Sequence, residues 1–191
     1  MPGRTMTSLP ALELVSLMNR YERPLVRYAQ SIVGELDGAR DVVQETFIKY
    51  ARGSADGAPA LVEGDASRHV ESWLFTVTRN GALDHLRKHS RIIPMPLPDD
   101  RRSEGASPDE EMVNRESAEW LLRLLDALTP NQREVIRLKF QNDLSYKEIA
   151  EVTGLSATNV GFLLHVALKK LRELLHEAPL DSVPFRIRTA L

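Results

Sequence analysis

The residues with the clearest chemical pattern lie in ESWLFTVTRNGALDHLRKHSR, residues 71–91. From Arg79 onward in that stretch, Arg79, Arg87, Lys88 and Arg91 stand against a single acid, Asp84. Leu74, Ala82, Leu83 and Leu86, with Phe75, cover a broad apolar arc of one helix, and the opposite stripe runs Trp73, Val77, Asn80, Asp84, Arg87 and Lys88, near spacings of three and four. An aromatic ring and an amide leading into a basic helix end suit single-stranded or distorted DNA. Bases stack on the ring, the amide reads base edges, and the cations neutralise phosphates. The structural alternative puts Trp73 in a core and leaves the cations at a helix C-terminus, where the helix dipole favours them. His85 and His89 are four apart, but no third ligand follows at a clear spacing and His85 lies far round the helix from Asp84. No metal site is therefore expected. No nucleophile–base pair and no glycine-rich phosphate loop is present, so neither an enzyme nor a bound cofactor is expected.

A second constellation is LSYKEIAEVTGLSATNVGFLLHVALKKLR, residues 144–172. Ser145 with Glu148 forms a capping-box pattern, and Ile149, Ala150 and Thr153 give a first short helix its inner face. Gly154 supplies a left-handed turn, Leu155 plugs the corner, and Ser156 caps a second helix. Val160, Leu163, Leu164, Ala167, Leu168 and Leu171 form the apolar stripe of that helix. The pattern is a helix-turn-helix, whose second helix usually enters the DNA major groove; an ordinary αα-hairpin is the other reading.

The elements that position these residues are all helical. Leu9–Met18 reads as a short helix. Pro24 reads as the first residue of the next, with Leu25, Tyr28, Ala29, Ile32 and Val33 on one face and Gly34 as its stop. Asp37 reads as the cap of a helix that turns Val42, Val43, Thr46, Phe47 and Tyr50 inward. The other side of that helix carries Asp41, Gln44, Glu45 and Ile48, either a solvated face with one stray isoleucine or a partner-binding face. Residues 53–69 read as an inserted loop without assigned function. In residues 93–110 four prolines and an acidic Ser/Gly composition forbid both a continuous helix and a core. Beyond them Met112, Val113, Trp120, Leu121, Leu124, Leu125 and Leu128 face inward. Thr129, Pro130 and Gln132 open a capped helix packed through Val135, Ile136, Leu138 and Phe140. The tail beyond Glu177 reads as irregular. The expectation is an all-α chain of two small domains, residues 10–92 and 111–177, joined by a flexible linker, 93–110, with the helix-turn-helix in the C-terminal domain.

Composition narrows the class. The chain has 191 residues, 42% hydrophobic and 27% charged, an ordinary soluble balance. No apolar run reaches the roughly 20 residues of a membrane span, so no membrane insertion is expected. The N-terminus lacks the apolar core of a signal peptide. With no cysteine, disulfides and thiolate metal sites are excluded and a cytoplasmic location fits. The net charge of -2 means that any nucleic-acid contact comes from local patches, not from a global field.

Two helical units, an acidic proline-rich linker and a C-terminal helix-turn-helix together resemble the bacterial RNA polymerase sigma factors of the extracytoplasmic-function (ECF) group. Three segments carry the likeness. LVRYAQSIVGELDGARDVVQETFIKYA, with its Asp-Val-Val-Gln-Glu-x-Phe run, is similar to the family's first core segment. ESWLFTVTRNGALDHLRK, with its Trp-Leu, Arg-Asn and Asp-x-x-Arg spacing, is similar to the promoter-melting helix. LTPNQREVIRLKF followed by LSYKEIAEVTGLS is similar to the C-terminal domain. Together they span most of residues 22–175.

The resemblance implies core RNA polymerase and promoter DNA as partners, with an anti-sigma factor as a candidate third. Asp41, Gln44, Glu45 and Ile48 would grip the coiled-coil helices of the largest polymerase subunit, which favours the partner-binding reading of that face. Arg79, Asn80, Asp84, Arg87 and Lys88 would lie at the downstream (-10) element, which the family melts by capturing an unstacked base, at a cost of a few kcal/mol offset by pocket contacts. The linker would enter the polymerase channels. The second domain would sit on the polymerase flap and read the upstream (-35) element through Ser156, Thr158, Asn159, Phe162, His165 and Lys169.

One departure stands out. The family's recognition helix commonly reads Thr-Val-Lys-Ser-Arg, with a further Arg near its middle, where this chain has Asn159, Val160, Gly161, Phe162, Leu163 and Val166. Cations are missing from its first turns, which weakens phosphate binding. Upstream contacts are then weaker, displaced to Lys169, Lys170 and Arg172, or made through Phe162 to a thymine methyl. Alternatively Phe162 and Val166 belong to a protein-binding or intramolecular surface. The longer 53–69 loop is a second, milder departure.

Overall fold

A computed structural model describes residues 11–53, 58–59, 66–89 and 120–178. The linker 93–110, Met112, Val113 and the tail from 179 lie outside the described residues, as does most of the 53–69 loop. Every described element is a helix: α1 (Ala11–Val33), α2 (Leu36–Ala51), α3 (Ala66–His89), α4 (helical residues 120–126), α5 (Pro130–Gln141), α6 (Tyr146–Thr153) and α7 (Ala157–Glu177). The chain divides into two compact units, Met1–Pro98 with Lys147–Leu155, and Asp99–Tyr146 with Ser156–Leu191.

In the first unit α1, α2 and α3 pack against one another. The two helices expected before Gly34 are one, because Leu17, Tyr21, Leu25, Tyr28 and Ala29 form an unbroken buried stripe that runs straight past Pro24. Burying each large member of that stripe stabilises by about 1.5–3 kcal/mol. Together they outweigh the roughly 3 kcal/mol cost of an internal proline. Gly34, at φ +91°, ends α1 with its N–H on the Gln30 carbonyl at 2.8 Å, as its position in the sequence suggests. Asp37 is not the cap of α2. The extended N-cap is Glu35, and Asp37 sits in the first turn, 3.8 Å from Arg40, where an acid favours the helix dipole.

Val42, Val43, Thr46, Phe47 and Tyr50 are buried, as their period requires. They meet Val70, Leu74, Phe75 and Ala82 of α3, all fully buried. Tyr28 and Phe75 pack edge to face at 5.3 Å, and Trp73 leans on Tyr50 at 5.6 Å, so Trp73 is half-buried against a ring of α2. Leu86, read as part of the inward arc, is exposed.

In the second unit α5 packs on α7. The Thr129 side chain accepts from the Gln132 N–H while the Gln132 side chain accepts from the Thr129 N–H at 3.0 Å, and Pro130 opens the helix. Arg133 ties the preceding corner, donating to the carbonyls of Leu125, Asp126 and Leu128 and pairing with the Asp126 carboxylate at 3.0 Å. Lys170 of α7 donates to the Ala127 carbonyl. Trp120, Leu128, Val135, Ile136, Leu138, Val160, Leu164 and Ala167 are buried. Leu121 and Phe140 are not: they are 41% and 61% exposed, each on a part of its helix that no described element covers.

Candidate nucleic-acid and protein interfaces

The first candidate surface is the outer face of α2. Asp41, Gln44, Glu45 and Ile48, at i, i+3, i+4 and i+7, are all exposed, Ile48 at 50%. The reverse face of the same helix is sealed by the core. Glu45 pairs with Lys49 at 3.3 Å, a contact worth little at the surface. The ridge is therefore two carboxylates and an amide around one protruding aliphatic side chain.

The second surface lies on α3. Asn80, Asp84, Arg87 and Lys88 are exposed and Arg79 is half-buried. Asn80, Leu83, Asp84, Leu86 and Arg87 line one cavity of about 480 Å³. Asp84 and Arg87 are paired within it. These described lining residues all belong to α3 and bring two leucine side chains beside an amide and the paired carboxylate and guanidinium. Arg79 and Lys88 do not line it. Leu83 and Leu86 are members that sequence reasoning placed in the core; the sign of their role is their position one residue from the polar stripe.

His85 faces elsewhere. Its ring stacks on His89 at 4.1 Å, and its Nε2 lies 3.3 Å from the Glu35 carboxylate. A Cβ at Gly38 would fall 2.6 Å from that nitrogen, so a larger residue there would displace the imidazole from this position. Among the described residues no group of three or more His, Asp or Glu could hold a metal ion.

The third surface is the α6–α7 corner. Gly154 adopts φ +73° and its N–H reaches the Ala150 carbonyl at 2.9 Å, while Thr153 Oγ1 donates to Ile149 at 2.6 Å. Ser156 is the extended N-cap of α7, its Oγ accepting from the Asn159 N–H at 3.2 Å. Three residues, 154–156, separate α6 from α7, the connection length of a helix-turn-helix. Ser156 is thus engaged in capping, whereas Thr158, Asn159, Phe162, His165 and Lys169 are exposed along one side of α7. Lys169 lies 3.9 Å from Glu173. Tyr146, 47% exposed, was not anticipated; its ring lies against Gly161, where a Cβ would sit 3.5 Å from Cε2.

Fold and surfaces define a helical DNA-binding protein of the helix-turn-helix class. Sigma-70 region 2 matches residues 17–92, and sigma-70 region 4 matches residues 118–171. The chain is 33% identical over 159 residues to RNA polymerase sigma factor SigV of Bacillus subtilis, covering 83% of this chain and 89% of that one. It is 30% identical over 162 residues to ECF RNA polymerase sigma factor SigE of Mycolicibacterium smegmatis, covering 83% of this chain but only 60% of that relative's length. Among solved structures, CnrH in complex with the cytosolic domain of CnrY superposes with a TM-score of 0.59 at 26% identity, covering 90% of this chain and 93% of that one. The chain belongs to the ECF sigma factors of bacterial RNA polymerase. Proteins of this family bind core polymerase and promoter DNA and direct promoter-specific initiation. Among the described residues no single helix is long and apolar enough to cross a membrane.

Proposed function

We propose that this chain is the promoter-specificity subunit of a cytoplasmic holoenzyme and catalyses nothing itself. Residues 10–92 form the core-binding and melting module, 93–110 the tether and 111–177 the upstream-reading module. Asp41, Gln44, Glu45 and Ile48 dock on the largest polymerase subunit. Arg79, Asn80, Asp84, Arg87 and Lys88 engage the downstream element, with the α3 cavity taking an unstacked base. Thr158, Asn159, Phe162, His165 and Lys169 face the upstream element, and Ser156 holds the start of their helix. A protein regulator of anti-sigma type is the further partner, by analogy with the sigma factor RpoE of Bartonella quintana, which was solved in complex with the anti-sigma factor NepR.

The observation that carries the reading is Ile48. It is half-exposed in the middle of an acid-and-amide ridge whose opposite face is entirely core. An aliphatic side chain so placed adds nothing to folding and serves as an interface anchor. The test is a pull-down against core polymerase followed by run-off mapping of transcript starts. Discrete starts that appear only when the protein is added support the reading. A protein that binds duplex DNA specifically without polymerase, and tolerates Asp41→Ala and Ile48→Ala, is instead a free-standing regulator.

A further inference from the structure

Phe162 is the most exposed large apolar side chain among the described residues, at 64%. It contributes nothing to the core of its helix, which is made by Val160, Leu164 and Ala167. Beside it stands Gly161, in a helix interior where glycine costs about 0.5–1 kcal/mol relative to alanine. Its bare backbone receives the edge of the Tyr146 ring, so two exposed aromatic side chains converge on one short stretch of α7.

Charge separates the occupants this surface could take. From Ala157 to Arg172 there is no carboxylate, in a chain that carries 27 acids and a net charge of -2. The cations of that stretch, Lys169, Lys170 and Arg172, lie in its last turn, and Lys170 is held by the Ala127 carbonyl. The exposed side before them is Thr158, Asn159, Phe162 and His165: uncharged donors and acceptors around one ring. Such a surface carries no acid of its own to repel a polyanion, while Lys169 behind it is paired with Glu173 at 3.9 Å. Its chemistry is that of base edges, and of one kind of base pair. An asparagine amide pairs bidentately with adenine, and an apolar side chain packs on the 5-methyl of thymine.

We propose that Phe162 is a specificity-determining residue that reads thymine 5-methyl groups in the major groove of an A·T-containing upstream element. Hydrophobic contact with bases here replaces cation-to-phosphate anchoring in the first turns of the recognition helix. The inference rests on the reading above that α7 faces the upstream element.

The experiment uses holoenzyme assembled from core polymerase and the full chain. Every thymine of the upstream element of a mapped promoter is replaced by deoxyuridine, which removes only the methyl groups. Occupancy is measured by footprinting, alongside a promoter lacking the upstream element. Wild-type protein should lose about fourfold in affinity per methyl contact, the scale of one buried methyl group. Phe162→Ala should bind the thymine promoter more weakly and no longer distinguish it from the deoxyuridine one, and Phe162→Leu should retain part of the discrimination. Wild-type indifference to the substitution overturns the proposal, as does a Phe162→Ala protein that keeps full sensitivity. A loss that is equal on both promoters, with an indifferent wild type, assigns the ring to a protein partner instead. If deletion of the upstream element changes nothing, the underlying placement of α7 has failed, and that outcome is distinct from indifference to the methyl groups alone.

Discussion

The hydroxyls of Thr46 on α2 and Thr78 on α3 lie 3.2 Å apart inside the first unit, 1% and 0% exposed. Thr46 Oγ1 also donates to the Val42 carbonyl at 2.9 Å, so the shared proton comes from Thr78. This polar contact joins the helix of the proposed polymerase-binding ridge to the helix of the proposed melting surface. Thr46→Val removes the acceptor and leaves the Thr78 hydroxyl without this partner in a dry interior, which should cost about 1–3 kcal/mol. Thr78→Val leaves Thr46 bonded to its own helix and should cost less. The double valine variant should recover most of the loss, since two matched apolar groups carry no desolvation penalty. Urea unfolding of the four proteins measures the coupling; additive losses would show that the hydroxyls do not communicate.

Ile48 supports a prediction that separates folding from assembly. It is half-exposed on the face of α2 that points away from the core, so Ile48→Ala should change stability by no more than about 0.5 kcal/mol. As the apolar centre of a docking ridge its truncation should lower core-polymerase affinity by about tenfold or more. Thermal unfolding and a titration against core polymerase together make the test. An unchanged affinity would remove this face from the interface.

Much of this was legible in the sequence because it is local. The buried face of α2, the Thr129–Gln132 box, the Ser156 cap and the left-handed Gly154 each follow from residues within four positions of one another. Tertiary packing decided the rest. Pro24 looked like a helix start until the Leu17–Tyr21–Leu25–Tyr28 stripe was seen to be buried on both sides of it. Phe140, Leu121 and Leu86 have the phase of core residues, yet whether a second helix reaches them cannot be read from period. The candidate sites divide in the same way. The exposure of Asp41, Gln44, Glu45, Ile48, Asn80 and Asp84 follows from helical phase. The cavity walls Leu83 and Leu86, and the approach of Tyr146 to Gly161, are relations in space.

Pro24 yields a stabilising prediction. Inside α1 it cannot donate the bond that a helix interior expects at that position. Pro24→Ala restores a donor and a better helix former. Part of the roughly 3 kcal/mol gain is offset because alanine also frees the unfolded chain. A net stabilisation of about 1–2 kcal/mol is expected, read as a higher urea midpoint with an unchanged slope. A lower midpoint would mean that the proline ring itself, half-buried in α1, contributes packing that alanine does not replace.

Gly154 isolates backbone strain from packing. At φ +73° it occupies the left-handed region, and a Cβ there would meet nothing within 4 Å. Any penalty on substitution is therefore conformational. Gly154→Ala should destabilise by about 1–2 kcal/mol, the left-handed cost for a residue bearing a Cβ. Gly154→Asn should cost less, since asparagine tolerates that conformation. The effect should appear at the α6–α7 corner and not at the α2 ridge. Upstream-element footprints should weaken in the order Gly, Asn, Ala, while core-polymerase affinity holds constant. If alanine and asparagine were equally damaging, strain at this turn would not be what sets the helix-turn-helix angle. If core affinity fell in parallel, the corner would be serving the polymerase interface rather than the DNA.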